Sequence, residues 1–453
     1  MNRSRSILNR LPTPVRAPFR LAFSMVPFPW NLGLEFARLH RRFWRSQHWS
    51  ADRLGELQLE ELRRIVRVAA RSVPAYREKF AQAGLDPDRI RSFDDFRRLP
   101  VTTKGEIRQE PERFRSSAVP GAALLQHRTS GSTGSPMVVY STREAWLAER
   151  AMMYRGWRWA GFRSGDRIAT CVGEAVEGSD EPTRLYRNRL DLSSGRLDPD
   201  GFALFTEALR SFDPQFVRTY PSIARVLGLE LRTRGIRLPS LKGIWTQSET
   251  LTPAMRSDLE TIWKAPVRDY YGLQEKCAAM SECEQGTMHV HAEFGLVELL
   301  PGPHPGLSKI VATGFWNRAM PFLRYETGDL AIPRTDPCRC GRALPVIGMI
   351  QGRMEDLLIT PSGKVIADLD QVIFQVDGIR ESQVIQERPD SIRVLVAPSP
   401  GFSEAEEATL RNVLQLRVGN DVRITIERVT AVPRTSSGKI RFLVSRLTER
   451  AFR

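Results

Sequence analysis

The sequence predicts an α/β fold: a large N-terminal domain with mixed, largely parallel sheets, then a small C-terminal α+β domain. Three observations predict it. Short apolar, β-branched runs alternate with helical patterns from about residue 100 to 350, as strands joined by crossover helices do. After about residue 352, strand-like runs crowd together around turn signals. A chain of 453 residues can form one large domain and a smaller one. The expected organisation is an arm over 1–50, a large domain over 51–352 and a C-terminal domain over 353–453.

The arm is basic and rich in aromatics. Arg3, Arg5, Arg10, Arg16 and Arg20 precede Phe23, Phe28 and Trp30, and Arg38, Arg41, Arg42 and Arg45 follow. One reading is a peripheral membrane contact, with rings at the interface and arginines on lipid phosphates. The other packs the rings on the protein's own core and leaves the arginines in water. Leu59, Leu62, Ile65, Val66 and Ala69 then recur at helical spacing, in a helix that should stop before Pro74. Strands are expected at 138–140, 168–172, 216–217, 243–245, 267, 296–300 and 309–311, with helices at 143–160, 201–211, 222–234 and 253–264. In the C-terminal domain, 356–360 and 364–367 flank a Pro-Ser-Gly turn and form a hairpin. A helix near 368–375, strands near 382–387 and 391–397, a helix at 403–418 and a strand near 422–429 complete it.

Charged residues make up 26% and hydrophobic residues 41%, ordinary for a globular protein. The net charge of +15, from 67 Lys+Arg against 52 Asp+Glu, suits anionic partners such as a nucleotide, a coenzyme, nucleic acid or an acidic membrane. Five cysteines, an odd and sparse count, argue against a disulfide framework and for a reducing compartment. The best apolar stretch, Leu21 to Leu34, is short for a span and interrupted by Pro27 and Pro29, so cytoplasmic residence is expected. Monomer and homodimer both remain open. Ser130, Ser132 and Ser248 have no convincing His/Asp company, which speaks against a serine hydrolase.

Five segments carry chemistry. Thr129-Ser-Gly-Ser-Thr-Gly134 precedes the apolar run at 137–140, and such a loop can wrap N–H groups and hydroxyls around a phosphate. It lacks the Gly-Lys-Ser/Thr ending of a Walker loop. Tyr270-Tyr-Gly-Leu-Gln-Glu275 follows a strand-like run, and Arg324-Tyr-Glu-Thr-Gly-Asp-Leu330 follows another. Gln351-Gly-Arg-Met-Glu-Asp356 opens the small domain, and Pro433-Arg-Thr-Ser-Ser-Gly-Lys-Ile-Arg441 lies near its end. In this order the five resemble the motif series of the adenylate-forming superfamily, nearest to its phenylacetate–CoA ligase and CapK-like (capsule-biosynthesis) group. Leu57–Leu62, Val73–Tyr76 and Leu99–Lys104 resemble that group too.

The resemblance implies ATP-dependent activation of a small carboxylic acid to an acyl-adenylate, release of pyrophosphate, then acyl transfer, to coenzyme A in the ligases. It implies that Thr129, Ser130, Gly131, Ser132, Thr133 and Gly134 hold phosphates. A lysine often follows the proline of this motif, and here Met137 stands there. Tyr271 would stack on adenine beside Gly272, Glu275 would ligate Mg²⁺, which prefers carboxylate oxygen, and Asp329 would accept from both ribose hydroxyls. Arg353 would touch ribose or phosphate, and Glu249 would lie near the nucleotide or acyl site. Glu355 stands where relatives carry a hinge aspartate, about which the small domain turns as a lid. Lys439 would reach the carboxylate and α-phosphate, where negative charge develops.

Cys283-x5-His289 and Cys338-x-Cys340 offer three thiols and an imidazole, a set that suits structural Zn²⁺, with Cys277 and His291 as substitutes. Two rival functions stand beside the ligase. One is an adenylating enzyme that hands its acyl group to an amine, hydroxyl or carrier protein. The other is a non-catalytic basic module for nucleic acid or membrane. The expectation from the motifs is a small-molecule enzyme with no nucleic-acid partner.

Overall fold

A computed structural model of the chain describes residues 26–128, 137–172, 182–193, 196, 199–353, 357–366, 369–373, 376–399, 401–435, 438–445 and 447. The first long helix, α1 (Leu34–Ser46), buries Phe36, His40, Phe43 and Ser46 at helical spacing and leaves Arg38, Arg41, Arg42 and Arg45 exposed. The described part of the arm thus packs Phe36 and Phe43 inward but leaves Trp30 43% exposed. Residues 1–25 lie outside the described residues. α2 (Ala51–Ser72) starts at Ser50, whose hydroxyl accepts the Arg53 N–H. It ends where Pro74 forces Val73 into an extended conformation. Among the described residues no helix is long and apolar enough to cross a membrane.

β1 (Leu125–Arg128) and β2 (Val138–Ser141) pair antiparallel ahead of α3 (Arg143–Trp159). β3 (Ile168–Cys171), β4 (Thr183–Leu185), β5 (Arg189–Leu192), β6 (Phe216–Thr219), β7 (Gly243–Gln247), β8 (Val267–Gly272), β9 (Ala279–Glu282) and β10 (Met288–Val290) follow. Between them run α4 (Pro199–Phe212), α5 (Pro221–Thr233) and α6 (Pro253–Trp263), close to the expected bounds. β11 (Gly295–Pro301), β12 (Ser308–Gly314), β13 (Tyr325–Ile332), β14 (Val346–Ile347) and β15 (Met349–Arg353) come next.

The central sheet has nine strands in the order β14-β10-β9-β8-β7-β6-β3-β5-β4. β5, β3, β6, β7 and β8 run parallel, and the strands outside them are antiparallel. α3 covers one face, and α4, α5 and α6 cover the other. On the α3 face Trp157 stacks on Trp245 at 4.7 Å, and Trp245 stacks on Phe216 at 4.4 Å. The sheets are mixed, as expected, and partly parallel. The parallel run is confined to the middle of this sheet, and β11-β12-β13-β15 form a separate antiparallel sheet. The link from β11 to β12 is a short turn with no crossover helix, and such a link can join only antiparallel strands.

The C-terminal part contains the expected hairpin of β16 (Leu358–Ile359) and β17 (Val365–Ile366). β18 (Ile379–Arg388), β19 (Ser391–Pro398), β20 (Arg423–Arg428) and β21 (Leu443–Ser445) form a mixed sheet over α7 (Glu404–Val418). α7 opens with a reciprocal cap between Ser403 and Glu406. Arg225 on α5 ties this sheet to the large one, donating to the Ile379 and Arg380 carbonyls at 2.6 Å while it pairs with Asp258 at 2.7 Å.

One ionic hub is wholly enclosed. Arg155 of α3 meets Glu293 at 2.6 Å, with side-chain exposures of 0% and 1%. Arg155 also donates to the Phe43 carbonyl at 2.9 Å, and the Ser46 hydroxyl donates to Glu293. Burial alone would raise the Glu293 carboxyl. The Arg155 guanidinium overrides it and holds the group below the usual carboxylate range. This hub fastens α1 and α3 to the strand region beyond β10. Arg155→Met should therefore destabilise the fold by about 3 kcal/mol, because it leaves an uncompensated buried carboxylate. Urea unfolding would read the loss, and the double variant Arg155→Met, Glu293→Gln should regain part of it.

Candidate active site

The parallel strands β6, β7 and β8 all end at one side of the sheet, where open α/β sheets place their ligands. A cleft of about 510 Å³ lies there, walled also by the C-terminal part through Arg380, Thr435, Lys439 and Phe442. Glu249, Tyr271, Gly272, Glu275, Asp329, Arg353 and Lys439 all line it. Residues far apart in sequence therefore converge on one cavity.

Tyr271 sits at the end of β8, and its hydroxyl donates to Asp329 Oδ2 at 2.6 Å. Burial, and then the Asp329 charge, push that hydroxyl well above its ordinary pKa. Asp329 on β13 lies opposite Arg353 on β15, with Nε 3.7 Å from Oδ1. The preceding Gly328 has φ +82°, a left-handed conformation within the irregular stretch of β13, which glycine adopts without strain. A Cβ on Gly272 would stand 2.7 Å from the Tyr270 ring, so only glycine fits beside Tyr271.

Glu275 is 5% exposed and accepts from the Tyr325 hydroxyl at 3.0 Å. The Asn317 amide donates to the Tyr140 carbonyl at 2.9 Å and the Glu275 carbonyl at 3.3 Å. It thereby links β2, the strand that leaves the Thr129–Gly134 loop, to Glu275. That loop itself, with Thr129, Ser130, Gly131, Ser132, Thr133 and Gly134, lies outside the described residues, as does Glu355. Met137 is 1% exposed and belongs to the core, so its side chain offers nothing to a ligand.

Lys439 lies on a tight turn between Arg434 and Ile440. Its N–H donates to Thr435 Oγ1 at 3.1 Å, and the Thr435 N–H donates to the Lys439 carbonyl at 2.9 Å. Arg434 is fixed in turn by Glu381 of β18. The Lys439 ammonium stands 5.1 Å from the centre of the Tyr220 ring. Glu249, just past β7, accepts from the Ser222 N–H and hydroxyl at 2.9 Å and from the Ile440 N–H at 3.0 Å. It caps the N-terminus of α5 and holds the loop that carries Lys439. The cleft walls desolvate its carboxyl and raise its pKa, against the pull of Ser222 and Lys439.

Other cleft residues escaped the sequence reading. Asp269 precedes Tyr271 by two positions on β8, so alternation alone puts the two on one face. Thr246 donates to it at 2.6 Å, and burial, then Glu282, push its carboxyl up to about 7. Glu149 of α3 pairs with Lys276 at 2.7 Å, and Arg218 of β6 donates to Gln247 of β7 at 2.7 Å. No local signal marks these four: Arg218 meets Gln247 through the pairing of β6 with β7, and Glu149 meets Lys276 through the packing of α3 on the sheet.

Away from the cleft, Cys283, His289, Cys338 and Cys340 gather with their ligand atoms all within 4.8 Å of one another. Cys283 and Cys338 sulfurs are 3.6 Å apart, and Cys340 Sγ is 3.3 Å from His289 Nε2. His289 Nδ1 faces the Leu344 carbonyl at 3.3 Å, which turns Nε2 toward the thiols. The two substitutes stand apart from this cluster. Cys277 is in the main core, and His291 lies between Ser281 and Arg155.

A family model for the CapK C-terminal domain matches residues 358–446. A phenylacetate–coenzyme A ligase of Thermus thermophilus is 27% identical over 435 residues, spanning 86% of this chain and 96% of the relative. Protein CapK of Staphylococcus aureus is 24% identical over 408 residues, spanning 87% and 90%. Among solved structures, 2-hydroxyisobutyryl-CoA ligase in the postadenylation state superposes with a TM-score of 0.72 at 22% identity, covering 88% of this chain and 91% of the other. The C-terminal match and these nearly whole-length likenesses make the chain similar to the phenylacetate–CoA ligases and to CapK, in agreement with the motif series, and its fold is that of an adenylate-forming coenzyme A ligase.

Proposed function

We propose that the chain activates a carboxylic acid with ATP and passes the acyl group to coenzyme A. The observation that carries this reading is the convergence of Tyr271, Glu275, Asp329, Arg353, Glu249 and Lys439 on one cleft at the ends of the parallel strands. In the first step a carboxylate oxygen attacks the α-phosphorus. The new P–O bond forms as the bond to the β-phosphate bridge breaks, and pyrophosphate leaves with the electron pair. In the second step the coenzyme A sulfur attacks the acyl carbon, the C–O bond to AMP breaks, and the thiol proton goes to solvent. Transfer to coenzyme A rests on the names of the relatives, which are coenzyme A ligases.

Each residue has a part in that scheme. Tyr271 offers a face to adenine, held in place by its bond to Asp329. Asp329 offers carboxylate oxygens to the ribose hydroxyls, with Arg353 beside it. Glu275 supplies a carboxylate oxygen for Mg²⁺, a donor that a hard cation prefers, and bound Mg²⁺ would neutralise phosphate charge. The Thr129–Gly134 segment, ahead of β2 in the sequence, receives the phosphates. Lys439 meets the charge that builds on the transferring carboxylate and the α-phosphate. The part beyond about residue 353 acts as a lid with its hinge at Glu355. Lys439→Ala should raise the adenylation barrier by about 3 kcal/mol, measured as acid-dependent pyrophosphate release, with nucleotide affinity little changed. A rate within a few-fold of wild type would remove Lys439 from the mechanism.

Glu249 is a positioning residue in this scheme, fixing the Lys439 loop from below. Glu249→Ala should speed hydrogen exchange at the Ile440 amide and lower the adenylation rate together. Unchanged exchange with a lowered rate would instead give Glu249 a direct part in catalysis.

The Cys283, His289, Cys338 and Cys340 cluster fits a structural Zn²⁺. A tetrahedral ion with Zn–S bonds of about 2.3 Å sets its sulfurs roughly 3.8 Å apart, and Cys283 and Cys338 already stand at 3.6 Å. Such an ion would clamp the β9–β10 hairpin to the Cys338–Cys340 loop and take no part in the chemistry. Protein purified without added metal should carry about one zinc per chain. Folded protein with none would contradict the assignment.

A further inference from the structure

One face of the N-terminal arm is left unused by the packing of α1. The helix buries Phe36, His40, Phe43 and Ser46, and on its opposite side Leu34, Arg38, Arg41 and Arg45 follow at spacings of four, three and four residues. At 3.6 residues a turn these four form one exposed stripe about 17 Å long. Leu34 is 80% exposed, and Val26 and Trp30 ahead of it are exposed as well. Three of the seven large apolar side chains exposed among the described residues therefore fall within one short segment, next to the stripe. The segment is anchored. The Trp30 indole N–H donates to the Ser164 hydroxyl, and the Asn188 amide takes the Phe28 N–H at 2.8 Å and the Phe28 carbonyl at 3.1 Å.

The arginines of the stripe differ from those around them. Arg42 and Arg64 share Glu61, Arg53 lies 3.8 Å over the Trp49 ring, and Arg158 lies 3.7 Å over the Trp44 ring. Among the described residues the Arg38, Arg41 and Arg45 side chains have no ion pair, hydrogen bond or ring contact. The only acid of α1, Glu35, faces Arg143 at 3.8 Å. Residues 1–34 contain five arginines and no Asp or Glu, so that stretch cannot neutralise the stripe. A second copy meeting it face to face would bring like charge. A nucleic-acid backbone would satisfy the arginines and leave Val26, Trp30 and Leu34 in water. A bilayer with anionic headgroups meets both halves of the face: lipid phosphates take the guanidinium groups, and the headgroup boundary takes the apolar side chains.

We propose that the face made by Val26, Trp30, Leu34, Arg38, Arg41 and Arg45 docks the protein reversibly on an anionic lipid bilayer. The inference does not depend on the adenylation reading. Flotation of the full chain with phosphatidylcholine vesicles, with and without about one-third phosphatidylglycerol, tests it. The expected result is binding that needs the anionic lipid and weakens as salt rises. It should fall about a hundredfold in the triple variant Arg38→Gln, Arg41→Gln, Arg45→Gln, and about tenfold in Leu34→Ser, which leaves the charge unchanged. All four positions are exposed, so both variants should keep the wild-type urea midpoint. Wild-type binding by the triple variant would overturn the inference and move the contact to residues 1–25. Vesicle binding indifferent to Leu34→Ser, with duplex DNA bound as tightly, would make the face a polyanion contact and overturn the bilayer. Failure to float with anionic vesicles, or a dimer in sedimentation that the triple variant dissolves, would overturn it too.

Discussion

The Glu249 carboxylate stands where the parallel sheet, the N-terminus of α5 and the C-terminal loop meet, and each of the three depends on it. Towards α5 it satisfies the Ser222 N–H and hydroxyl, groups that a helix start leaves unpaired. Towards the C-terminal part it accepts the Ile440 N–H and faces the Lys439 ammonium. A carboxylate has acceptor sites for all of these at once. Its removal would leave a helix end, a loop amide and a lysine each without that partner, which is why one side chain governs how the small sheet sits on the large one. Arg225 reinforces the same junction from α5, through the Ile379 and Arg380 carbonyls.

Charge placement elsewhere follows a similar economy. The exposed arginines of α1 sit over buried rings, so basic composition and a packed interior coexist. Enclosed charges are paired: Arg155 with Glu293, Lys276 with Glu149, Arg324 with Glu298. Such pairs add little net stability compared with well-packed apolar groups, but either partner left alone is costly. They therefore fix positions. Arg155 sets α3 against the sheet, and α3 in turn sets Glu149 and Arg150 in the wall of the cleft.

Much of this was legible in the sequence because it is local. The helices at 143–160, 201–211, 222–234 and 253–264 announce themselves by spacing, and the hairpin at 358–366 by its turn residues. The motif series brought Tyr271, Glu275, Asp329, Arg353 and Lys439 into view before any coordinates, and the paired cysteines brought the cluster of Cys283, His289, Cys338 and Cys340. What stayed hidden depends on pairing between distant segments. The antiparallel sheet of β11, β12, β13 and β15 looked like part of the alternation because strand length says nothing of strand direction. The contacts of Arg218 with Gln247 and of Glu149 with Lys276 need β6 beside β7 and α3 on the sheet, so no window of sequence contains them. Glu249 was visible as a motif position, but its hold on Ile440 spans 191 residues.

The central claim is that a carboxylate oxygen of the substrate becomes bonded to the α-phosphorus of ATP in this cleft. The most direct test follows that oxygen. Turnover of a carboxylic acid labelled with heavy oxygen, in the presence of ATP and coenzyme A, should leave one labelled oxygen in the AMP released, detected by mass spectrometry. AMP without label, or label found in inorganic phosphate alongside ADP, would mean that the acid is not activated as an acyl-adenylate.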